Sequence, residues 1–245
     1  PAHRPCGAQL FGSEPDVMAE AAVRAVAICK PEFLDVNMGC PMPKIFNNGD
    51  GSALMGDPER AAAIVTAMKK AVDIPVTVKF RSGIREDSRN CVEFAKRMEA
   101  AGADAMCIHG RTRVQMYSGT SDRAMVKAVK DAVSVPVIAS GDALSGQACL
   151  DILDETGADF IMIARGAEGY PMIFRDCLAL EAGLPNLLRH VENITQVYKL
   201  PCVVAINRFP TDTEAELKLV EDKCRDLGVN VALSEVWAKG GEGGV

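Results

Sequence analysis

The chain has 245 residues, 48% of them hydrophobic and 24% charged, and Lys+Arg 27 against Asp+Glu 33 leaves a formal net charge of −6. That length fits one large α/β domain or two small ones, and the hydrophobic share excludes a disordered chain. No apolar run reaches about 18 residues, so no membrane span is expected, and the acidic balance argues mildly against a protein dedicated to coating nucleic acid. Short apolar strands alternate with helices along the chain. Strands are predicted at Gln9–Phe11, Phe33–Val36, Val76–Phe80, Ala105–Ile108, Val135–Ala139 and Phe160–Ala164. Helices are predicted between them at Pro15–Cys29, Pro58–Val72, Arg89–Ala101, Ala124–Val133 and Gly146–Thr156. AGAD at 101–104 and TGAD at 156–159 each read as a helix stop followed by a buried strand. VDIPV at 72–76 and VSVPV at 133–137 are a second matched pair, of helix-to-strand turns. The unit recurs about every 25–35 residues and predicts a parallel sheet covered by helices, as in a β/α barrel. Beyond about residue 180 come a helix (Leu184–Tyr198), a strand (Cys202–Phe209), an acidic helix (Thr213–Leu227), a short strand (Val229–Ser234) and a Gly-rich end.

Polar residues cluster just after the barrel-like strands: Asn37 and Cys40, Lys79 and Arg81, His109 with Arg111 and Arg113, Ser140 to Asp142, and Arg165 with Gly166. In a β/α barrel such positions share one rim, the catalytic face. Cys40 stands on a tight turn before Pro41, where a thiol suits a nucleophile or a proton donor. Lys79 and Arg81 alternate along a strand and so face one side, where cations suit an electron-rich heterocycle or a phosphate, or form a solvated edge pair. His109, Arg111, Arg113 and Tyr117 read as an anion clamp with an aromatic neighbour, fitted to phosphate or nucleic acid. SGD (140–142) and ARGAEG (164–169) offer backbone amides near helix starts for a phosphate. NNGDGSALMG matches no standard phosphate-loop pattern, and Asp50 and Ser52 are expected to cap the helix that follows. The nine cysteines are odd in number, scattered and without a CxxC pair. They fit neither a disulfide framework nor a metal site, and suggest a reducing cytoplasm. The start, PAHRPCGAQLFG, lacks both a signal-peptide pattern and an initiator Met, so a fragment is expected.

Together AQLFGSEP (8–15), DVNMGCPMPK (35–44), GSALM (51–55), PVTVKFRSG (75–83), HGRTRVQMYSG (109–119), PVIASGD (136–142) and IARGAEG (163–169) resemble the tRNA-dihydrouridine synthase family. The resemblance implies a TIM-type (β/α) barrel, N-terminally truncated to six of its eight strands, in a cytoplasmic flavoprotein with no metal. Such enzymes use FMN, reduced by NADPH, to saturate the C5–C6 bond of a tRNA uridine. Carried onto this chain, reduced FMN would give a hydride to uracil carbon 6 and Cys40 would protonate carbon 5. Gln9 and Lys79 would contact the flavin ring, while His109, Ser140, Gly141, Asp142, Ala164 and Arg165 would hold its phosphate end. Asn37 and Arg81 would lie near the uracil, with Arg111, Arg113 and Tyr117 on the substrate side. SGD replaces the Asn-Gly-Asp of many relatives, and the family's helical tRNA-gripping domain finds no counterpart. The tail resembles a different family, formate–tetrahydrofolate ligase, through GLPNLLRHVENI (183–194), VVAINRFPTDTEAEL (203–217) and ALSEVWAKGGEGG (232–244). There Phe209 and Trp237 would stack on a folate. The expected organisation is a partial barrel over 1–178 and a ligase-like α/β segment over 179–245, two enzyme pieces joined near 175–183. The rival readings are a remnant of an ATP-dependent ligase and a non-catalytic chimeric chain that keeps a flavin- or RNA-binding surface.

Overall fold

A computed structural model describes residues 4–197, 199, 201–208 and 214–234. They fall into two compact units, one of Pro1–Ala143 with Ile152–Ala164, the other of Leu144–Asp151 with Arg165–Val245.

In the first unit β1 (Gly7–Leu10), β2 (Phe33–Met38), β3 (Val76–Arg81), β4 (Ala105–His109), β5 (Val137–Ser140) and β6 (Phe160–Met162) form one six-stranded sheet in sequential order. Every neighbouring pair is parallel. The connections carry α1 (Pro15–Cys29), α2 (Pro43–Asn47), α3 (Pro58–Ala71), α4 (Cys91–Ala100), α5 (Arg123–Lys130) and α6 (Gly146–Thr156), the last shared between the units. This is the strand order of a partial TIM-type barrel. β5 starts two residues later than the apolar run suggested, because Pro136 has no N–H to give the ladder.

Strand alternation sorts the side chains. Leu34, Val36, Met38, Val76, Val78, Phe80, Met106, Ile108, Val137 and Ala139 are all wholly buried. So are Ile64, Val65 and Met68 of α3, and Phe94 of α4 is nearly so. The Phe80 and Phe94 rings pack with centroids 5.2 Å apart, tilted by 56°. Each of the larger side chains among them contributes about 1.5–3 kcal/mol by leaving water, so this apolar layer carries the unit. The opposite strand positions are Gln9, Asp35, Asn37, Thr77, Lys79 and Cys107. Gln9, Asp35, Thr77 and Cys107 line a cavity of about 340 Å³ with Ile138 and Met162.

The two Gly-Ala-Asp turns do the same work twice. Gly102 (φ 98°) and Gly157 (φ 66°) end helices in the left-handed region. Asp104 then accepts the Val76 N–H at 2.7 Å and Lys69 Nζ at 2.7 Å. Asp159 accepts the Val137 N–H at 2.7 Å and Lys130 Nζ at 2.7 Å. Each aspartate thereby satisfies the first donor of the neighbouring strand, which no ladder partner reaches.

In the second unit α7 (Ile173–Glu192) precedes β7 (Val203–Asn207), α8 (Glu214–Asp226) and β8 (Asn230–Ser234). β7 and β8 pair in parallel across α8. Val191, Val204, Cys224 and Val229 form its core, with Leu187, Leu188, Cys202 and Ile206 packed on it. The helix expected from Leu184 is the second half of α7, which runs through Pro185. A turn of π-helix, Asn193–Val197, follows it. None of the nine cysteines is in a disulfide. No described helix is long and apolar enough to cross a membrane.

Candidate active site

The turn after β2 is held on every backbone side. Asn37 Oδ1 accepts the N–H groups of Gly39 at 3.1 Å and Cys40 at 2.9 Å. The Cys40 carbonyl accepts the Ser52 N–H at 3.2 Å and its hydroxyl at 2.7 Å. Arg81 Nε donates to the Gly39 carbonyl at 2.9 Å. Gly51 stands at φ 59°, and a Cβ there would come within 3.0 Å of Cys40 Cβ and of Ile45 Cγ2. The glycine-rich run is therefore a bracket around Cys40. The expectation that Asp50 and Ser52 cap a helix is corrected: Asp50 makes no side-chain cap bond, and the Ser52 hydroxyl is given to Cys40. Asp57 caps α3 instead, accepting the Arg60 N–H at 3.1 Å.

A polar chain crosses the adjoining sheet face. Asn37 Nδ2 donates to Gln9 Oε1 at 3.0 Å, and Gln9 Nε2 donates to Asp35 Oδ2 at 2.6 Å. Thr77 Oγ1 donates to Asp35 Oδ1 at 2.7 Å. Burial pushes the Asp35 carboxyl up, against the opposing pull of Gln9, Thr77 and Lys79. Lys79 lies in register between Asn37 and Cys107, and makes no hydrogen bond or ion pair among the described residues. A half-buried ammonium without a partner favours an anionic or electron-rich ligand beside it.

The ends of β3, β4 and β5 bring Arg81, His109 and Ser140 into one register row. Burial, and then the charges of Arg81, Lys79 and Arg111, push the His109 imidazole down to about 3, so it is neutral at physiological pH. Arg111 Nη1 lies 3.5 Å from His109 Nε2, which assigns the ring proton to Nδ1. Gly141 sits at φ 112° against this ring. A Cβ there would lie 2.5 Å from His109 Cδ2 and 2.5 Å from Ser121 Oγ, so only glycine fits.

The arginines divide by their partners. Arg111 is 2% exposed. It donates to Asp142 Oδ1 at 2.8 Å, to the Ser118 carbonyl at 3.0 Å and to the Gly119 carbonyl. All its nitrogens are thus engaged within the protein, where the sequence suggested a substrate contact. Asp142 also accepts the Ser121 N–H at 2.7 Å. Burial acts to raise its carboxyl, but the Arg111 and Ser121 bonds outweigh it and hold it below the ordinary range. Arg81 spends Nε and Nη1 on the carbonyls of Gly39, Thr112 and Met116, leaving Nη2 without a partner among the described residues. Arg113 stacks on Phe46 of α2, 3.7 Å from the ring centroid. Tyr117 stands 59% exposed.

Ala164 closes the first unit and Arg165 opens the turn Arg165–Ala167 in the second. Phe209 and Trp237 lie outside the described residues. Sequence reasoning passed over Asp35 and read Ser52 only as a helix cap. The signal for Asp35 was a carboxylate inside the apolar strand FLDVNM, on the same parity as Asn37. Among the described residues no cluster of His, Cys, Asp or Glu is arranged to hold a metal ion.

Comparison with known proteins gives two family matches. The dihydrouridine synthase model matches residues 2–202. The formate–tetrahydrofolate ligase model matches residues 163–245, overlapping the first. The probable tRNA-dihydrouridine synthase 1 of Synechocystis sp. is 47% identical over 173 residues, covering 71% of this chain and 48% of the relative. tRNA-dihydrouridine synthase B of Pseudomonas aeruginosa is 43% identical over 172 residues, covering 70% of this chain and 52% of the relative. The chain thus spans about half the length of these curated relatives. The likeness to solved structures is slight. The dipeptide epimerase of Enterococcus faecalis V583 aligns at 14% identity with a TM-score of 0.46, covering 94% of this chain and 47% of that one.

Proposed function

The chain belongs to the dihydrouridine synthase family, and from that premise we propose that its first unit carries an FMN site for the reduction of uridine to 5,6-dihydrouridine in tRNA. The observation that carries the reading is the clamped Cys40 turn at the end of β2, next to the sheet face where Lys79, in register with Asn37, has no partner among the described residues. The residues present suit a flavin. Lys79 supplies a cation for the electron-rich edge of the ring, and Gln9 keeps one amide hydrogen free for it. The neutral His109 and the Cβ-free approach at Gly141 suit the phosphate end, together with Ser140, Asp142 and Ala164 of the same unit.

When bound, FMN reduced by NADPH supplies the hydride for uracil carbon 6. Cys40 gives the balancing proton to carbon 5 from a thiol whose backbone cannot drift. Arg81 turns its remaining donors toward the uracil, and Asn37 orients the Cys40 turn beneath it. The base leaves its stack to reach this site, and the exposed Tyr117 and the stacked Arg113 suit the surrounding RNA. Arg111 holds the loop that carries them. A tRNA substrate and nine cysteines outside any disulfide fit a cytoplasmic setting.

Visible spectra of the purified chain, loaded with FMN and desalted, test the site. Retained flavin bands, with dihydrouridine formed in tRNA and lost in Cys40→Ala while flavin stays bound, are the expected result. Full activity in Cys40→Ala overturns the proton-donor role.

A second reading concerns the tail, 179–245. It derives from formate–tetrahydrofolate ligase, supported by the match over residues 163–245 and by a compact unit resuming at Arg165. The two pieces would then meet in a recombined or mis-assembled reading frame. Long-read genomic sequence across codons 170–190 checks this, and one uninterrupted frame with a matching intact transcript would exclude mis-assembly.

A further inference from the structure

We propose that Asp35 is a positioning residue: through Gln9 and Asn37 it fixes the turn that carries Cys40. The role in catalysis rests on the reading of Cys40 as proton donor, whereas the hydrogen-bond chain stands on geometry alone.

The orientation of the chain is settled at its Cys40 end. Asn37 Oδ1 takes two backbone N–H groups, of Gly39 at 3.1 Å and Cys40 at 2.9 Å, and these cannot reverse. The Asn37 Nδ2 group must therefore face outward, toward Gln9. It meets the oxygen of that amide at 3.0 Å, because two N–H groups would repel. The Gln9 nitrogen is then turned to the far side, where Asp35 Oδ2 receives it at 2.6 Å. The other carboxylate oxygen takes the Thr77 hydroxyl at 2.7 Å. Every donor points toward Asp35. As a carboxylate it can only accept, so it ends the chain with one polarity and leaves neither amide free to flip. The pairings Gln9 with Asp35 and Asp35 with Thr77 are also strand-register neighbours, so β1, β2 and β3 hold the three side chains level.

The consequence reaches the reactive groups. Without its last acceptor, Gln9 can rotate, Asn37 Nδ2 loses a defined partner, and Asn37 Oδ1 is no longer held under the Gly39 and Cys40 amides. The same chain decides which amide atoms of Gln9 remain open on the sheet face: one N–H of Nε2 and one lone pair of Oε1.

Three variants separate this from general destabilisation. Asp35→Leu removes the terminal acceptor. Asp35→Asn keeps it, since its oxygen can accept from Gln9 while its nitrogen donates to Thr77, whose hydroxyl turns to the Leu34 carbonyl already 3.4 Å away. Gln9→Leu cuts the chain one link further on at an exposed position, and serves if Asp35→Leu does not fold. Amide exchange in the flavin-free full chain, resolved by residue with NMR, is the readout. Asp35→Leu and Gln9→Leu should each speed exchange at Gly39 and Cys40 by about tenfold. The ladder amides of Val36 and Val78 should keep their rates, and Asp35→Asn should match the wild type. Unchanged rates at Gly39 and Cys40, equal acceleration of the ladder, or an Asp35→Asn that behaves like Asp35→Leu would each overturn the proposal. A parallel assay of dihydrouridine formation should show kcat falling with Asp35→Leu and rescued by Asp35→Asn. A wild-type chain with no activity would defeat the functional reading and leave the exchange result to decide this one.

Discussion

Replacing Arg111 by Met should destabilise the first unit by an amount that depends on pH in a stated direction. The guanidinium is buried, and Met fills much of its volume without a charge. Truncating one partner of a buried ion pair costs about 3–5 kcal/mol. Here the Asp142 side chain is 25% exposed and keeps its bond from the Ser121 N–H, which lowers the expectation to about 2–3 kcal/mol. With a urea slope of about 2–3 kcal/mol per molar, the midpoint should fall by about 1 M at pH 7. In the wild type the Asp142 carboxyl is held below its ordinary value. Its contribution is therefore present above the unfolded-state pKa and is lost as pH falls through the folded one. In the variant the largest remaining influence is burial, which raises that pKa, so protonation relieves part of the cost of burying the carboxylate without Arg111. The deficit between variant and wild type should shrink as pH falls from 7 toward 4. Urea unfolding followed by far-ultraviolet circular dichroism at both pH values measures it. A deficit that is equal at both, or below about 0.5 kcal/mol at pH 7, would refute the assignment of Arg111 as an internal brace.

Gly141→Ala should lower stability by about 2 kcal/mol or more, since it forces a side chain into φ 112° and against His109; differential unfolding checks the loss, and FMN retention should fall with it. Lys79→Met should leave stability within about 0.5 kcal/mol, because no partner is lost, yet weaken FMN binding by about tenfold in a fluorescence titration. His109, neutral when folded down to about pH 3, takes up a proton on unfolding below about 6.5. Its stabilisation is thus whole above pH 6.5 and is lost as pH falls from there toward 3, at up to about 1.4 kcal/mol per pH unit. His109→Gln should flatten that limb of the stability curve, and an unchanged slope in the variant would contradict the buried neutral imidazole.

Much of the fold was legible because the pattern is local. α1 and α6 coincide with their expected spans, Pro15–Cys29 and Gly146–Thr156. The Gly-Ala-Asp turns announced the strands that follow them. α7 was half missed, since Pro185 invites a break that the helix does not make. At the site, the residue types after each strand pointed to Cys40, Lys79, His109 and Ser140 to Asp142 as candidates, and strand register sets Arg81, His109 and Ser140 in one row. The same cues could not separate Arg111, whose donors all turn inward, from Arg81, which keeps donors to spare.

By itself the sequence determined the alternation of strand and helix, the parallel sheet and the family to which the chain belongs. Those properties follow from hydrophobic period, turn chemistry and motif spacing, which act over a few residues at a time. Only the tertiary structure decided the partners of the polar groups. Thr77 meets Asp35 across 42 residues, Arg81 meets Gly39 across 42, and Arg111 meets Asp142 across 31. A buried donor takes whichever acceptor strand register brings within about 3 Å. That register is a property of the assembled sheet, and so are the polarity of the Asp35 chain and the inward turn of Arg111.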